Sequence, residues 1–178
     1  MQEIVLGTTV VVATSVSASP PAGGALGSNA TSTSTQIVSL EQARARAGFP
    51  IRQPSHLPSP GLVLDRVGLL GVPSTGASPA KGIFQKYRED SARWLVLLQA
   101  AASQDGRGQR VAVPYGLQAG KVGEHTAAFY SHPVPASGAP GGAITITHCL
   151  WEQDGFLMEL QAPHLSADEL GRIGASVA

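Results

Sequence analysis

The sequence predicts an α+β protein, in which a curled antiparallel sheet of about six or seven strands has a short helix before it and another helix after it. Three observations support this prediction. Seven segments with the composition and spacing of strands follow one another between residues 61 and 162. Capping boxes mark helix starts on either side of that region. Two short turn sequences join neighbouring strands as hairpins.

Composition limits the chain to one turn-rich domain. A length of 178 residues suits one ordinary domain, and 21 glycines and 13 prolines indicate many turns. Twelve basic residues balance twelve acidic ones, so no net field favours nucleic acid as a partner. The single cysteine, Cys149, excludes an internal disulfide and a local zinc or redox motif of paired cysteines.

Residues 1–38 are predicted to be an apolar leader and a low-complexity linker, and residues 39–178 a single α+β domain. The apolar run from Ile4 to Ala18 is shorter than the roughly 20 residues that cross a bilayer, and it ends in small residues typical of signal-peptide cleavage. An export signal or membrane tether is therefore predicted, with an extracytoplasmic location. An ordinary strand is the alternative, because threonine and valine suit one equally well.

The first predicted helix begins at Ser39. Ser39 and Gln42 form a capping box, and Gly48 provides the left-handed residue that ends the helix.

The closing helix begins at Ser166, which forms a second capping box with Glu169. Leu170, Ile173 and Val177 then follow at helical spacing, so this helix is predicted to pack on one face of the sheet.

The strand segments are bounded by glycine, proline, aspartate or serine. They span residues 61–71, 82–88, 93–101, 109–116, 125–131, 143–151 and 156–162. Residues 89–92 (EDSA) and 152–155 (EQDG) each join two strands, and the Asp-Gly pair in the second is a strong hairpin signal. Antiparallel pairing is therefore expected.

Candidates for catalysis are weak. Cys149 follows His148, but adjacent side chains of a strand point to opposite faces, so the two cannot pair as nucleophile and base. No metal or cofactor is predicted, because the histidines lack close ligand spacing; His125 and His132 are the nearest pair, although separate strands could still bring histidines together. No Gly-x-Ser-x-Gly elbow is present.

The aromatic residues of the strands are the predicted ligand-binding set. They could line a cavity for a hydrophobic ligand between the sheet and its covering helix, or simply form the core. The set is Phe84, Tyr87, Trp94, Phe129, Trp151 and Phe156.

Residues 39–178 resemble a bacterial extracytoplasmic domain of unknown function. The resembling pieces are Phe49-Pro50, Leu57-Pro58 with Gly61, the Trp151-Glu152-x-Asp154-Gly155 hairpin, and Leu165-Ser166 before the final helix. That domain is found at the C-terminus of anti-sigma factors, and it is similar in plan to the periplasmic lipoprotein-carrier and sigma-regulator sheet fold. The loop at Leu57-Pro58-Ser59-Pro60-Gly61 is one residue longer than the usual family loop.

The resemblance implies a non-catalytic module that senses or binds something at the cell envelope. Its expected partner is an envelope protein or a hydrophobic ligand, with a membrane tether through the N-terminal segment. Two alternatives stay open: a periplasmic carrier of a lipid or lipoprotein acyl chain, and a hydrolase built from separated Ser, His and Asp residues.

Overall fold

The computed structural model describes residues 3–7, 9–13, 35–71, 80–102, 109–113, 116–135 and 142–178. The elements, in chain order, are β1 (Glu3–Leu6), β2 (Thr9–Ala13), β3 (Gln36–Val38), α1 (Leu40–Ala47), β4 (Val63–Leu70), β5 (Gly82–Arg88), β6 (Trp94–Ala101), β7 (Gln109–Val113), β8 (Gln118–Val122), β9 (His125–Pro135), β10 (Ala143–Gln153), β11 (Phe156–Pro163) and α2 (Ala167–Ala175).

The main sheet has eight strands in the order β3-β4-β5-β6-β11-β10-β9-β8, and every neighbouring pair is antiparallel. It is open, with β3 and β8 as its edges. The α+β prediction with a mainly antiparallel sheet is confirmed, but the count of six or seven strands is wrong. The sequence missed both edge strands because β3 has only three residues, while Gly120 interrupts the five residues of β8.

A second sheet of three strands has the order β1-β2-β7, with β2 and β7 parallel. Residues 109–113 of the strand predicted at 109–116 therefore belong to this sheet as β7. Ile4 and Leu6 of β1 are buried against Ala128 and Leu150 of the main sheet. Residues 3–6 and 9–13 therefore form strands, as the ordinary-strand alternative has it. Residues 14–34, which include the predicted cleavage site and most of the predicted linker, lie outside the described residues. The predicted boundary between linker and domain at residue 38 stays a prediction.

The turn between β10 and β11 is the one that the sequence predicts. Asp154 and Gly155 have φ values of 49° and 78°, the two left-handed residues of a type I′ turn. Gln153 pairs directly with Phe156 across it. The predicted hairpin between β5 and β6 is also present, with Arg88 opposite Trp94.

Both helices begin at their predicted capping boxes, and Gly48 ends α1 with a φ of 72°. Ala43 and Ala47 of α1 pack on the β4–β5 end of the sheet. α2 ends at Ala175, so Val177 lies beyond the helix, yet it remains buried in the same core as Leu170.

We call the face covered by both helices the inner face. Between the helices it is crossed by residues 49–57, the crossing segment. Buried amides hold this segment: Gln85 Nε2 donates to Arg52 O at 2.7 Å, Gln99 Nε2 donates to Pro50 O at 2.9 Å, and Arg52 N donates to Gln99 Oε1 at 3.1 Å. Each amide therefore satisfies backbone groups that would otherwise lack partners on an apolar sheet.

The end of the chain completes this cover. Gln53 and Ala178 exchange two backbone hydrogen bonds of 3.2 Å, and Ser55 N donates to Ser176 O at 3.0 Å. The crossing segment is thereby joined to the residues that follow α2.

The opposite, outer face is partly covered by the three-stranded sheet. β1 contacts β9, and Val113 of β7 joins Ile4, Leu6 and Leu150 in one buried apolar cluster. The main sheet therefore carries apolar packing on both faces.

Candidate functional site

The predicted aromatic set is divided between the two faces of the sheet. Tyr87, Phe129 and Trp151 are buried in the inner-face core, and Phe156 packs against that core and on Phe49, with 5.2 Å between ring centroids. Four of the six residues therefore share one face.

Trp94 and Phe84 lie on the outer face. The ammonium of Lys86 lies 5.5 Å from the centroid of the Trp94 ring. The ring of Phe84 covers Gly68 so closely that a Cβ there would come within 2.2 Å of Phe84 Cε1. Because strand alternation separates the faces, the six residues do not line one common cavity.

Side chains of the protein itself fill the inner face where a ligand was predicted. Trp151, Met158 and Leu160 have no solvent exposure, and Leu170 and Ile173 of α2 pack directly against them. Aromatic and aliphatic groups at this depth act as core.

An open groove lies instead between α2 and the edge strand β8. It has a volume of about 580 Å³, and the buried ring of Phe129 forms part of its wall. The other residues that line it are Gln118, Ala119, Gly120, Lys121, Gly123, Ala167, Asp168, Gly171, Arg172 and Ala175. We call it the edge groove.

Small residues allow the helix and the edge strand to approach closely. A Cβ at Gly171 would lie 3.4 Å from the carbonyl oxygen of Lys121, and a Cβ at Gly174 would lie 2.9 Å from Val122 Cγ1. These two glycines, three residues apart, put one face of α2 against β8. The backbone of β8 is therefore part of the groove.

Hairpin geometry shows which backbone groups of β8 are free of β9. Gly123 and Glu124 form a two-residue turn, since Val122 pairs with His125, so those two residues make the hydrogen-bonded pair that closes the hairpin. Hydrogen-bonded pairs alternate along an antiparallel ladder, so the N–H and C=O groups of Ala119 and Lys121 point away from β9. Among the described residues, no strand pairs with this edge of β8.

The residues that line the edge groove include Lys121, which contributes its backbone, and the exposed Arg172 and Asp168 of α2, which carry opposite charges. A free strand edge beside a helix can add a further strand from another chain. The sequence offers two signals for this site, the Gly-Glu turn after β8 and the small residues of α2, neither of which involves the predicted aromatic set.

A second polar group, which the sequence analysis missed, lies on the outer face. Tyr130 and His132 of β9, His148 of β10 and Glu159 of β11 come together across three adjacent strands. We call these four residues the histidine cluster. Tyr130 and His132 alternate along β9, but the contributions of His148 and Glu159 could be recognised only with knowledge of the strand order.

Stacking and one short contact hold the histidine cluster. His148 Nδ1 lies 2.7 Å from Glu159 Oε1. The His148 ring stacks on Tyr130 with 4.3 Å between centroids and on His132 with 4.9 Å. Burial lowers the pKa of His132, and the neighbouring His148 lowers it further, while Glu159 opposes the shift.

No protein-family model, curated protein or solved structure matches this chain.

The described side chains contain no metal site of three or more His, Cys, Asp or Glu residues. His148 and Cys149 lie on opposite faces, as their adjacency in the strand predicts. Burial raises the pKa of the Cys149 thiol, and Glu159 adds to that increase, which favours the protonated thiol over the nucleophilic thiolate. Within the described ranges, neither helix is long and apolar enough to cross a membrane.

Proposed function

We propose that this chain is a non-catalytic binding module of the bacterial cell envelope, and that the open edge of β8 binds an extended peptide segment of a partner protein. The observation that carries the proposal is the edge groove, in which backbone groups of Ala119 and Lys121 that no described strand pairs lie beside α2. An incoming strand would bond to these alternate residues through its own backbone.

The groove chemistry favours a peptide over a compact small molecule. Small side chains and backbone form much of its lining, so few convergent polar side chains are available to orient a small ligand. Arg172 and Asp168 of α2 provide one cationic and one anionic group that can pair with charged side chains of a bound peptide.

The envelope setting and the extracytoplasmic location rest on the resemblance of residues 39–178 to the domain found in anti-sigma factors. Neither is needed for the edge groove to bind a peptide. Sequencing the N-terminus of protein taken from its own host tests the location: cleavage after Ala18 supports export, whereas an intact Met1 in the cytoplasm contradicts it.

Two other functions have less support. A lipid carrier would need space on the inner face, where α2 packs Leu170 and Ile173 against the side chain of Trp151. A hydrolase would need a nucleophile within reach of its base. His148 has an acidic partner in Glu159, but no hydroxyl or thiol of the described residues bonds to its Nε2 atom.

The test uses substitutions at Ala119, which is exposed on the edge strand. Proline in place of Ala119 removes the outward N–H and leaves the bonds of β8 to β9 in place, because proline is tolerated on edge strands with that geometry. Valine in place of Ala119 is the matched control, since it keeps the N–H.

Peptides of about ten residues are selected from a random display library on the wild-type protein, and their affinities are measured by fluorescence polarisation. Loss of one backbone hydrogen bond, together with the contact made by the proline ring, should weaken binding about tenfold in A119P. The A119V variant should bind within about threefold of wild type. Equal binding by A119P and wild type, or failure to select any peptide, would refute the proposal.

A further inference from the structure

Two buried ring nitrogens of the histidine cluster have no hydrogen-bond partner among the described residues. They are His132 Nδ1 and His148 Nε2, and the His148 side chain is only 7% exposed. Buried polar atoms are nearly always satisfied in folded proteins, so an unsatisfied pair on adjacent stacked rings needs an explanation. Imidazole nitrogens differ from other buried polar atoms because they can take up a proton near neutral pH.

The contacts define where protons reside. At 2.7 Å from the Glu159 carboxylate, the Nδ1 of His148 carries a hydrogen and donates it. A proton added to Nε2 gives an imidazolium already paired with Glu159. A proton added to His132 gives a second cation, whose ring centroid is 4.9 Å from that of His148. One carboxylate then faces two stacked cations, and their mutual repulsion opposes double protonation.

Among the described carboxylates, Glu159 is the one that acts on the pKa of His132. Strand alternation brings mainly uncharged residues to this side: Gln161 of β11, Leu98 of β6, Ala128 of β9, Ile146 and Leu150 of β10, and Ile4, Leu6, Val111 and Val113 of the three-stranded sheet. The same alternation places two charged residues on this side, Glu152 of β10 and Lys121 of β8. Glu3 of β1 is exposed and alternates with the inward-facing Ile4.

Tyr130 connects the histidine cluster to the three-stranded sheet. Its ring stacks on His148 at an interplanar angle of 11°, and its side chain also packs against the apolar cluster that contains Ile4 and Leu6 of β1. A rearrangement of the stacked rings therefore moves a residue against which β1 packs.

We propose that the histidine cluster is an acid-sensitive contact, and that its protonation weakens the packing of β1 against the outer face of the eight-stranded sheet. The cluster lies on the outer face, so this proposal stands independently of peptide binding in the edge groove.

The direction follows from linkage. The pKa of His132 is lower in the folded chain than the usual histidine value of about 6.5, which the unfolded chain is expected to have. The unfolded or undocked state therefore binds the proton more readily. The stability that the neutral His132 contributes is fully present above the unfolded-state pKa of about 6.5. It is lost as the pH falls through the lower folded-state pKa.

The test combines a histidine titration with a local measurement on β1. NMR of the wild-type protein follows the ring protons of His132 and His148 between about pH 7.5 and pH 5, which spans the usual histidine range. Hydrogen exchange at the two ends of this range, corrected for intrinsic rates, reports the protection of the Glu3–Leu6 amides.

We expect His132 to titrate below 6.5, and acid to reduce the protection of the β1 amides by more than any change in the β6 and β11 amides. The H132Q variant should lose most of this pH dependence, whereas H56Q, a change at an exposed histidine, should keep it. Titration of His132 at the ordinary histidine value, or equal acid responses in H132Q and wild type, would overturn the proposal. The titration decides the matter even if H132Q fails to fold.

Discussion

Replacing Gln99 with leucine tests whether one buried amide holds the crossing segment on the inner face. The Gln99 side chain is fully buried, donating to Pro50 O at 2.9 Å and accepting from Arg52 N at 3.1 Å. Leucine has a similar volume but can make neither bond. The substitution therefore removes two hydrogen bonds while disturbing the packing little.

The expected cost comes from those two bonds. Each contributes about 0.5–1.5 kcal/mol net, and a partly buried backbone group that loses its partner costs about 1–3 kcal/mol. Both hydrogen bonds are only partly buried, and leucine recovers some apolar burial. We expect the free energy of unfolding to fall by roughly 2–4 kcal/mol. The melting temperature Tm should fall by about 2–4 °C for each kcal/mol lost.

Urea unfolding monitored by circular dichroism and tryptophan fluorescence measures this loss. Hydrogen exchange at the Arg52 amide provides a local check. In the Q99L variant this N–H has lost its acceptor, so it should exchange before the sheet unfolds. The matched control is Gln161→Leu on the adjacent strand β11, where the side chain is half-buried on the outer face. A cost below about 0.5 kcal/mol for Q99L, or an equal cost for both variants, would refute the role assigned to the amide.

Two further predictions follow from close contacts and burial. Alanine in place of Gly68 should destabilise the fold by about 1–3 kcal/mol, because its Cβ would overlap the Phe84 ring. In the G68A/F84L double mutant the smaller leucine should relieve part of that cost, whereas additive unfolding free energies in the double-mutant cycle would contradict the contact. Burial raises the pKa of Cys149, so a thiol-specific reagent at about pH 8 should label the native protein far more slowly than the urea-unfolded chain, and prompt labelling of the native protein would show that the thiol is accessible.

Local chemistry made parts of this fold predictable. Ser39 and Ser166 each form the reciprocal bonds of a capping box, which need only residues three apart in sequence. Asp154 and Gly155 adopt the left-handed conformations of a tight hairpin, and these depend on the two residues themselves. Helix starts and this turn were therefore placed correctly from sequence.

The edge strands and the candidate sites were less accessible to sequence reasoning. β8 has little apolar alternation, and it is a strand because β9 supplies its hydrogen bonds. The edge groove in turn exists because Gly171 lets α2 lie against that strand. The histidine cluster assembles His132, His148 and Glu159 from three strands, so no spacing within one segment announces it.

The sequence by itself determined the helix starts, the Asp154-Gly155 turn and the mainly antiparallel pairing, because short-range bonds and dihedral preferences act between neighbouring residues. Only the tertiary structure decided that the aromatic residues fall on two faces, that Glu3–Leu6 packs as a strand, and that β8 remains open at the sheet edge. Those outcomes depend on strand order and register, which side chains distant in sequence settle together through burial and hydrogen bonding.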